Sequence, residues 1–150
     1  MDLQTRFEQD MKEAMRGKEE LRLSVLRMMR TALHNRAIEK RAKGGELTED
    51  EVIMIVRSEA SKRRDAADGF MAGGRPELAE KERHELAIIE HYLPQEADDV
   101  ELSAAVKAVV EELKPAGPKD FGKVMGEVMK RLKGRISGER ARVAVTQMLK

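Results

Sequence analysis

The sequence predicts an all-α protein made of two small helical domains, residues 1–93 and 94–150. Three observations predict it. Ala, Leu, Glu, Lys, Arg and Met dominate the 150 residues, and all six are strong helix formers. Apolar residues recur at three- and four-residue spacings, the period of an amphipathic helix, and nowhere alternate long enough to make a strand. The prolines, Pro76, Pro94, Pro115 and Pro118, all fall between those periodic stretches.

Each element follows from local signals. Leu3, Phe7, Met11 and Met15 recur at i+4 and predict a first helix, ended by Gly17. A second helix is expected from about Lys18 to Lys43. Leu21, Val25, Met28 and Ala32 are read as its apolar stripe, widened by Met29 and Leu33, and Gly44-Gly45 stops it. Thr48-Glu49-Asp50-Glu51 reads as a capping box, in which the threonine hydroxyl and the glutamate carboxylate each satisfy a backbone N–H of the first turn. The helix it opens runs to about Phe70, with Val52, Ile55, Val56 and Ala60 inward. Pro76 suits the first position of a fourth helix, which reaches about Tyr92 with Leu78, Leu86, Ile89 and Leu93 on one side.

The domain boundary is placed at Leu93-Pro94, because proline drives the preceding residue out of helical geometry. Charge character changes there as well. Residues 95–114 hold 2 basic and 6 acidic side chains, whereas 115–150 hold 9 basic and 3 acidic. Asp98 and Glu101 suggest another capping box, followed by Leu102, Ala105, Val106, Val109 and Leu113. After the break at Pro115–Pro118, Phe121, Val124, Met125, Val128, Met129 and Leu132 form a continuous apolar stripe. Gly134 is expected to end this helix in the left-handed conformation, and Gly126 to permit close approach of a neighbouring helix. Ser137 can cap the last helix, lined by Ala141, Val145, Met148 and Leu149.

Composition excludes several classes of function. At 41% hydrophobic and 38% charged, with a net charge of +1, the chain can bury a core and is not disordered. Having no cysteine, it has no disulfide, zinc–thiolate site or thiol nucleophile. No apolar run approaches the roughly 18 residues of a membrane span, and the first residues contain no apolar leader core. These features predict a soluble, cytoplasmic protein with no membrane association.

Chemistry-bearing patterns are sparse. His84-Glu85-Leu86-Ala87-Ile88 has isoleucine where a zinc-protease helix needs its second histidine, so neither metal nor cofactor is expected. Adjacent carboxylates such as Glu111-Glu112 do not face one another on a helix. No glycine-rich phosphate loop and no nucleophile–base constellation occurs, and no catalytic residue is assigned. Basic residues are more informative. Residues 16–43 hold 9 basic and 3 acidic side chains, and Arg27, Arg30, His34 and Arg41 are predicted to share one face opposite the apolar stripe. The C-terminal excess adds Lys123, Lys130, Lys133, Arg135 and Arg142. Such patches hold phosphates by counterion release. With Phe7 and Phe121 on apolar stripes, base stacking by aromatic rings is not available, so grip on backbone and shape is expected.

Three ordered segments resemble the GatB/YqeY family, specifically its small stand-alone YqeY-like members. They are Arg22-Leu23-Ser24-Val25-Leu26-Arg27 with Ile38-Glu39-Lys40-Arg41; Gly74-Arg75-Pro76-Glu77-Leu78 through Tyr92-Leu93-Pro94; and Asp120-Phe121-Gly122-Lys123-Val124-Met125-Gly126 with Lys133-Gly134-Arg135. The resemblance implies an all-helical, two-domain chain. It also implies a tail similar to the C-terminal domain of the B subunit of the glutamine-dependent tRNA amidotransferase, which contacts tRNA away from the reaction centre. The shared pattern falls on Gly126, Met129, Lys130, Gly134 and Arg135. Phe121 stands where the family usually has Met, and Ser137 where it usually has Asp or Asn. Membership implies carbon–nitrogen ligase chemistry with glutamine as amide donor, but the subunit's catalytic domain has no counterpart in these residues.

The function expected is therefore a tRNA-binding or amidotransferase-associated accessory protein. Lys123, Lys130, Lys133, Arg135 and Arg142 are its RNA-contacting set, and Arg27, Arg30 and Arg41 a secondary basic face. The alternative is a protein-interaction or assembly module that docks on an amidotransferase-like complex without binding RNA.

Overall fold

The computed structural model describes all residues from Met1 to Lys150. It contains helices α1 (Leu3–Arg16), α2 (Glu20–Ala42), α3 (Glu49–Ala72), α4 (Pro76–Glu90), α5 (Asp99–Leu113), α6 (Phe121–Arg131) and α7 (Gly138–Met148), with one 3-10 turn at Pro118–Asp120 and no strand. The contacts divide into two compact units, Met1–Leu93 and Pro94–Lys150. No helix is long and apolar enough to cross a membrane.

Helix starts follow the side chains that satisfy the free N–H groups of a first turn. Asp2 accepts from the Thr5 N–H at 2.8 Å, Asp98 from Glu101 at 2.8 Å and Ser137 from Arg140 at 3.2 Å. Thr48 and Glu51 form the full reciprocal box, whereas Asp98 supplies only the forward bond. Each such cap contributes about 1 kcal/mol. The box is also tied to the preceding helix: Lys40 donates to both Glu51 oxygens at 3.1 and 3.0 Å. Lys40 and the Thr48 contacts hold the Glu51 carboxyl below its ordinary value.

Helix ends share one device. At α1, α2, α3 and α6 the chain closes with a pair of backbone bonds that satisfy the last carbonyls around a residue of positive φ. At α2 and α3 that residue is glycine, Gly44 (φ 85°) and Gly74 (φ 73°). At α1 and α6 it is a lysine, Lys18 (φ 54°) and Lys133 (φ 52°), and Lys114 (φ 47°) ends α5 in the same conformation. A side chain there costs roughly 1–2 kcal/mol relative to glycine. The left-handed position after α6 thus begins at Lys133, one residue before the expected Gly134, which is also left-handed (φ 72°).

The first unit packs α1–α4 around Phe7, Leu26, Met29, Val52, Val56 and Ile89. Its buried faces correct two expected stripes. Met15 is 56% exposed and Ala14 takes the inward position, because a strict i+4 series drifts about 40° per step from the helical repeat. On α2 the core residues are Val25, Leu26, Met29 and Leu33, while Leu21 is exposed and Met28 and Ala32 are half-buried. The residues read as widening the stripe are its centre.

The end of α4 is anchored by Tyr92, buried edge-on against Phe7 at 4.8 Å between ring centroids. Its hydroxyl donates to Asp10 at 2.5 Å, Asp10 lies 3.6 Å from Arg22, and the Arg6 guanidinium sits over the ring at 4.8 Å. Burial and the Asp10 carboxylate push the phenol up to about 12.

Between α3 and α4 a second polar cluster is set into the unit. Arg63 faces Glu59 at 3.3 Å, Glu82 at 3.8 Å and Glu85 at 3.9 Å, and all three carboxylates are largely covered. The Arg63 Nε and one Glu82 oxygen have no hydrogen-bond partner. Burial and the neighbouring Glu82 raise the Glu85 carboxyl above its ordinary value, against the pull of Arg63 and Lys81.

The second unit packs α5–α7 around Val106, Val109, Val124, Val128, Ile136 and Val145. Val128 is fully buried but Met125 is only half-buried, at the edge of its stripe; Met148 and Leu113 point outward at 42% and 44% exposure. Gly126 has open space where a Cβ would stand, so no neighbouring helix approaches it, contrary to expectation. The start of α5 is clasped by the α6–α7 connection. The Ala97 N–H donates to the Arg135 carbonyl at 2.6 Å, the Ser137 N–H to Glu96 at 3.3 Å, and Arg140 to the Ala97 carbonyl at 3.0 Å and Asp99 at 2.8 Å.

Two outcomes follow. A fragment of residues 94–150 should show a helical circular-dichroism spectrum and a cooperative melt, since its core and caps are internal; a coil spectrum would rule out an independent domain. Glu85→Gln should melt higher than the parent at neutral pH. The folded state holds the Glu85 proton more tightly than the unfolded state, so stability falls as pH rises through the window above the ordinary glutamate value. Glutamine has no such loss, and the gap should close below about pH 4.

Candidate nucleic-acid interface

The expected RNA-contacting residues separate into two kinds. Lys123 and Lys130 lie seven residues apart on α6, two turns along one exposed face, and Lys133 follows at its left-handed end. None of the three has a carboxylate within ion-pair distance. Gly122 and Gly126 belong to the same outward side, with nothing within 4 Å of a notional Cβ at either. The α6 surface is therefore low at these two glycines, while the half-buried Glu127 stands between Lys123 and Lys130, four and three residues from them and outside ion-pair distance.

Arg135 and Arg142 are engaged within the unit. Arg135 donates through Nε to the Gln95 carbonyl at 3.0 Å and pairs with Glu101 at 3.1 Å. It is half-buried, so it holds the start of α5 rather than standing free in solvent. Arg142 pairs with Glu139 at 2.6 Å, three residues earlier on α7, which raises the guanidinium's pKa and lowers the carboxyl's. Arg131 and Arg140 are also paired, with Glu112 and Asp99.

The secondary basic face on α2 is exposed at Arg27, Arg30 and Arg41. It does not lie opposite the core. Arg30, His34 and Arg41 border a cleft of about 270 Å³ between α1 and α2, next to the buried Phe7 and Leu33. The expected stripe is Leu21, Val25, Met28 and Ala32; with the buried residues at Val25, Leu26, Met29 and Leu33 instead, this basic row flanks the core. Sequence reasoning had no signal for the cleft beyond the small Ala37 among long cations. Arg30 is loosely paired with Glu8 at 3.8 Å.

No group of three or more His, Asp or Glu side chains is arranged to hold a metal ion; His84 lies exposed, 3.8 Å from Glu80. The Arg63 cluster is largely enclosed, and it is not visible in the sequence because its members come from two different helices, α3 and α4.

Residues 4–149 match the description of the Yqey-like protein family. The chain belongs to the YqeY-like family. Curated relatives include the fungal proteins named "Altered inheritance of mitochondria protein 41, mitochondrial". The one from Lachancea thermotolerans is 30% identical over 120 residues, covering 79% of this chain and 63% of the relative. The one from Eremothecium gossypii is 30% identical over 130 residues, 85% and 70%. The one from Saccharomyces cerevisiae is 30% identical over 124 residues, 79% and 66%. The YqeY-like chain thus spans roughly two thirds of the length of these relatives.

The two kinds of cation should behave differently on substitution. Lys133→Gly should raise the stability of the second unit by about 1 kcal/mol, by removing a side chain from a left-handed position. Arg135→Ala should lower it by about 1 kcal/mol through loss of its partly exposed contacts. Thermal melts of both variants check the pair.

Proposed function

We propose that this YqeY-like protein is an RNA-binding accessory factor whose C-terminal unit holds the phosphate backbone of a folded, tRNA-type RNA. Lys123, Lys130 and Lys133 make the phosphate contacts, Arg142 on α7 adds a guanidinium that its pair with Glu139 partly neutralises, and Arg135 holds the start of α5 against the α6–α7 connection. The observation that carries the reading is that these three lysines are unpaired while the surrounding arginines are paired. An ammonium without a carboxylate partner has no ion pair to give up when a phosphate arrives. The excess of 9 basic over 3 acidic residues from 115 to 150 and the resemblance of this stretch to the amidotransferase tail support the same ligand. The role is association with amidotransferase-type chemistry. A cytoplasmic setting belongs to the same proposal, while the fungal relatives carry a mitochondrial name.

The test is a titration with folded tRNA across salt concentrations. With about three phosphates neutralised, log K should fall against log salt with a slope near −2 to −3. Changing Lys123, Lys130 and Lys133 together to Ala should flatten the slope and leave the melting temperature nearly unchanged, and single-stranded homopolymers should bind less well than folded RNA. An unchanged slope would move the contacts to Arg27, Arg30 and Arg41. Absence of binding at about 50 mM salt would overturn the RNA reading in favour of protein docking.

A further inference from the structure

The cleft between α1 and α2 is a different kind of site from the α6 surface, and its chemistry is legible from its walls. Its floor is apolar, formed by the edges of Phe7 and Leu33, both otherwise buried in the core. Arg30 and Arg41 border it from positions eleven residues apart on α2, about 16 Å along the helix axis. His34 and Ala37 fill the interval; the small Ala37 leaves the space that a longer side chain would occupy. Glu8 lines the α1 side, together with Gln4.

The charges suit an anion. Arg41 has no carboxylate within ion-pair distance. Arg30 has only Glu8 at 3.8 Å, with both side chains about half exposed at 53% and 54%, and such a pair contributes little and is readily exchanged. Guanidinium and imidazole are also flat cationic or polar surfaces on which a heterocyclic base can stack when no Phe, Tyr or Trp is exposed. Guanidinium matches phosphate geometry in bidentate fashion. Glu8 accepts hydrogen bonds from ring N–H or amino groups, which a simple inorganic anion does not offer. A volume of about 270 Å³ takes a ligand of mononucleotide size rather than a helix of a partner protein.

We propose that this cleft binds a nucleoside 5′-monophosphate, free or as the 5′-terminal nucleotide of an RNA. The base lies over His34 and Ala37 with its polar edge toward Glu8, and Arg30 or Arg41 holds the phosphate. This site is independent of the α6 lysines and does not rest on the RNA reading given above.

The chain has three histidines, so the imidazole proton resonances of His34, His84 and His91 can be followed separately by NMR. Titration of the full chain with AMP or GMP should move the His34 signals saturably, with half-saturation at or below about 1 mM, and leave those of His84 unmoved. Adenosine, guanosine and inorganic phosphate, each alone, should bind at least about tenfold more weakly. Arg30→Gln with Arg41→Gln should weaken the nucleotide by at least about tenfold, as should Ala37→Leu, which fills the cleft without changing charge. Changing Lys123, Lys130 and Lys133 to Ala should leave it unaltered. Binding by a 5′-phosphorylated oligonucleotide but not by free nucleotide would assign the site to RNA ends. No His34 shift with either, equal shifts at all three histidines, or full binding by a folded Ala37→Leu variant would overturn the proposal.

Discussion

The phenol of Tyr92 closes the first unit. It joins the end of α4 to α1 through Asp10, 82 positions away, and Asp10 in turn meets Arg22 on α2. A tyrosine buried to 5% exposure needs a partner for its hydroxyl, and a carboxylate drawn inward needs a cation. Each member therefore answers the desolvation cost of another, and removing any one leaves the others uncompensated. The ring fills the space beside Phe7, so polar anchoring and apolar packing act at the same point. Because Tyr92 lies immediately before Leu93-Pro94, this anchor also fixes where the first unit ends.

The second unit has no buried aromatic residue of this kind and relies on a clasp of backbone and arginine contacts around the start of α5. That difference bears on function. Arginines whose guanidiniums span two elements, Arg135 and Arg140, hold the unit together. Lysines, with longer flexible stems and no fixed partner, remain at the surface. A unit built in this way presents unpaired ammonium groups on a framework that its own arginines keep in shape.

Much of the helical framework was legible. Thr48 with Glu51 and Ser137 mark helix starts through bonds confined to four residues, and Pro76 marks one through its fixed φ at the first helical position; such local geometry is written in adjacent sequence. Which face turns inward was less legible, because a few residues of apolar pattern on α2 leave a rotation of about 100° open, and packing of α1 and α4 settles it. The left-handed lysines at positions 18, 114 and 133 were not legible at all, since lysine carries no signal for positive φ. At the α6 surface, the seven-residue spacing of Lys123 and Lys130 could be read directly. The pairing of Arg135 could not, because Glu101 lies 34 positions earlier. The same limit hid the Arg63 cluster and the cleft beside Arg30.

Tyr92 is the chain's single tyrosine, and tryptophan is absent. Apart from weak phenylalanine bands, the near-ultraviolet signal therefore comes wholly from the first unit, and from the spot where its helices are tied together. The second unit, whose one aromatic residue is Phe121, contributes nothing at the tyrosine wavelengths, although its helices contribute to the far-ultraviolet spectrum. The protein thus carries a built-in optical label that reports on one half of the chain, so the unravelling of the two halves can be timed separately without attaching a dye.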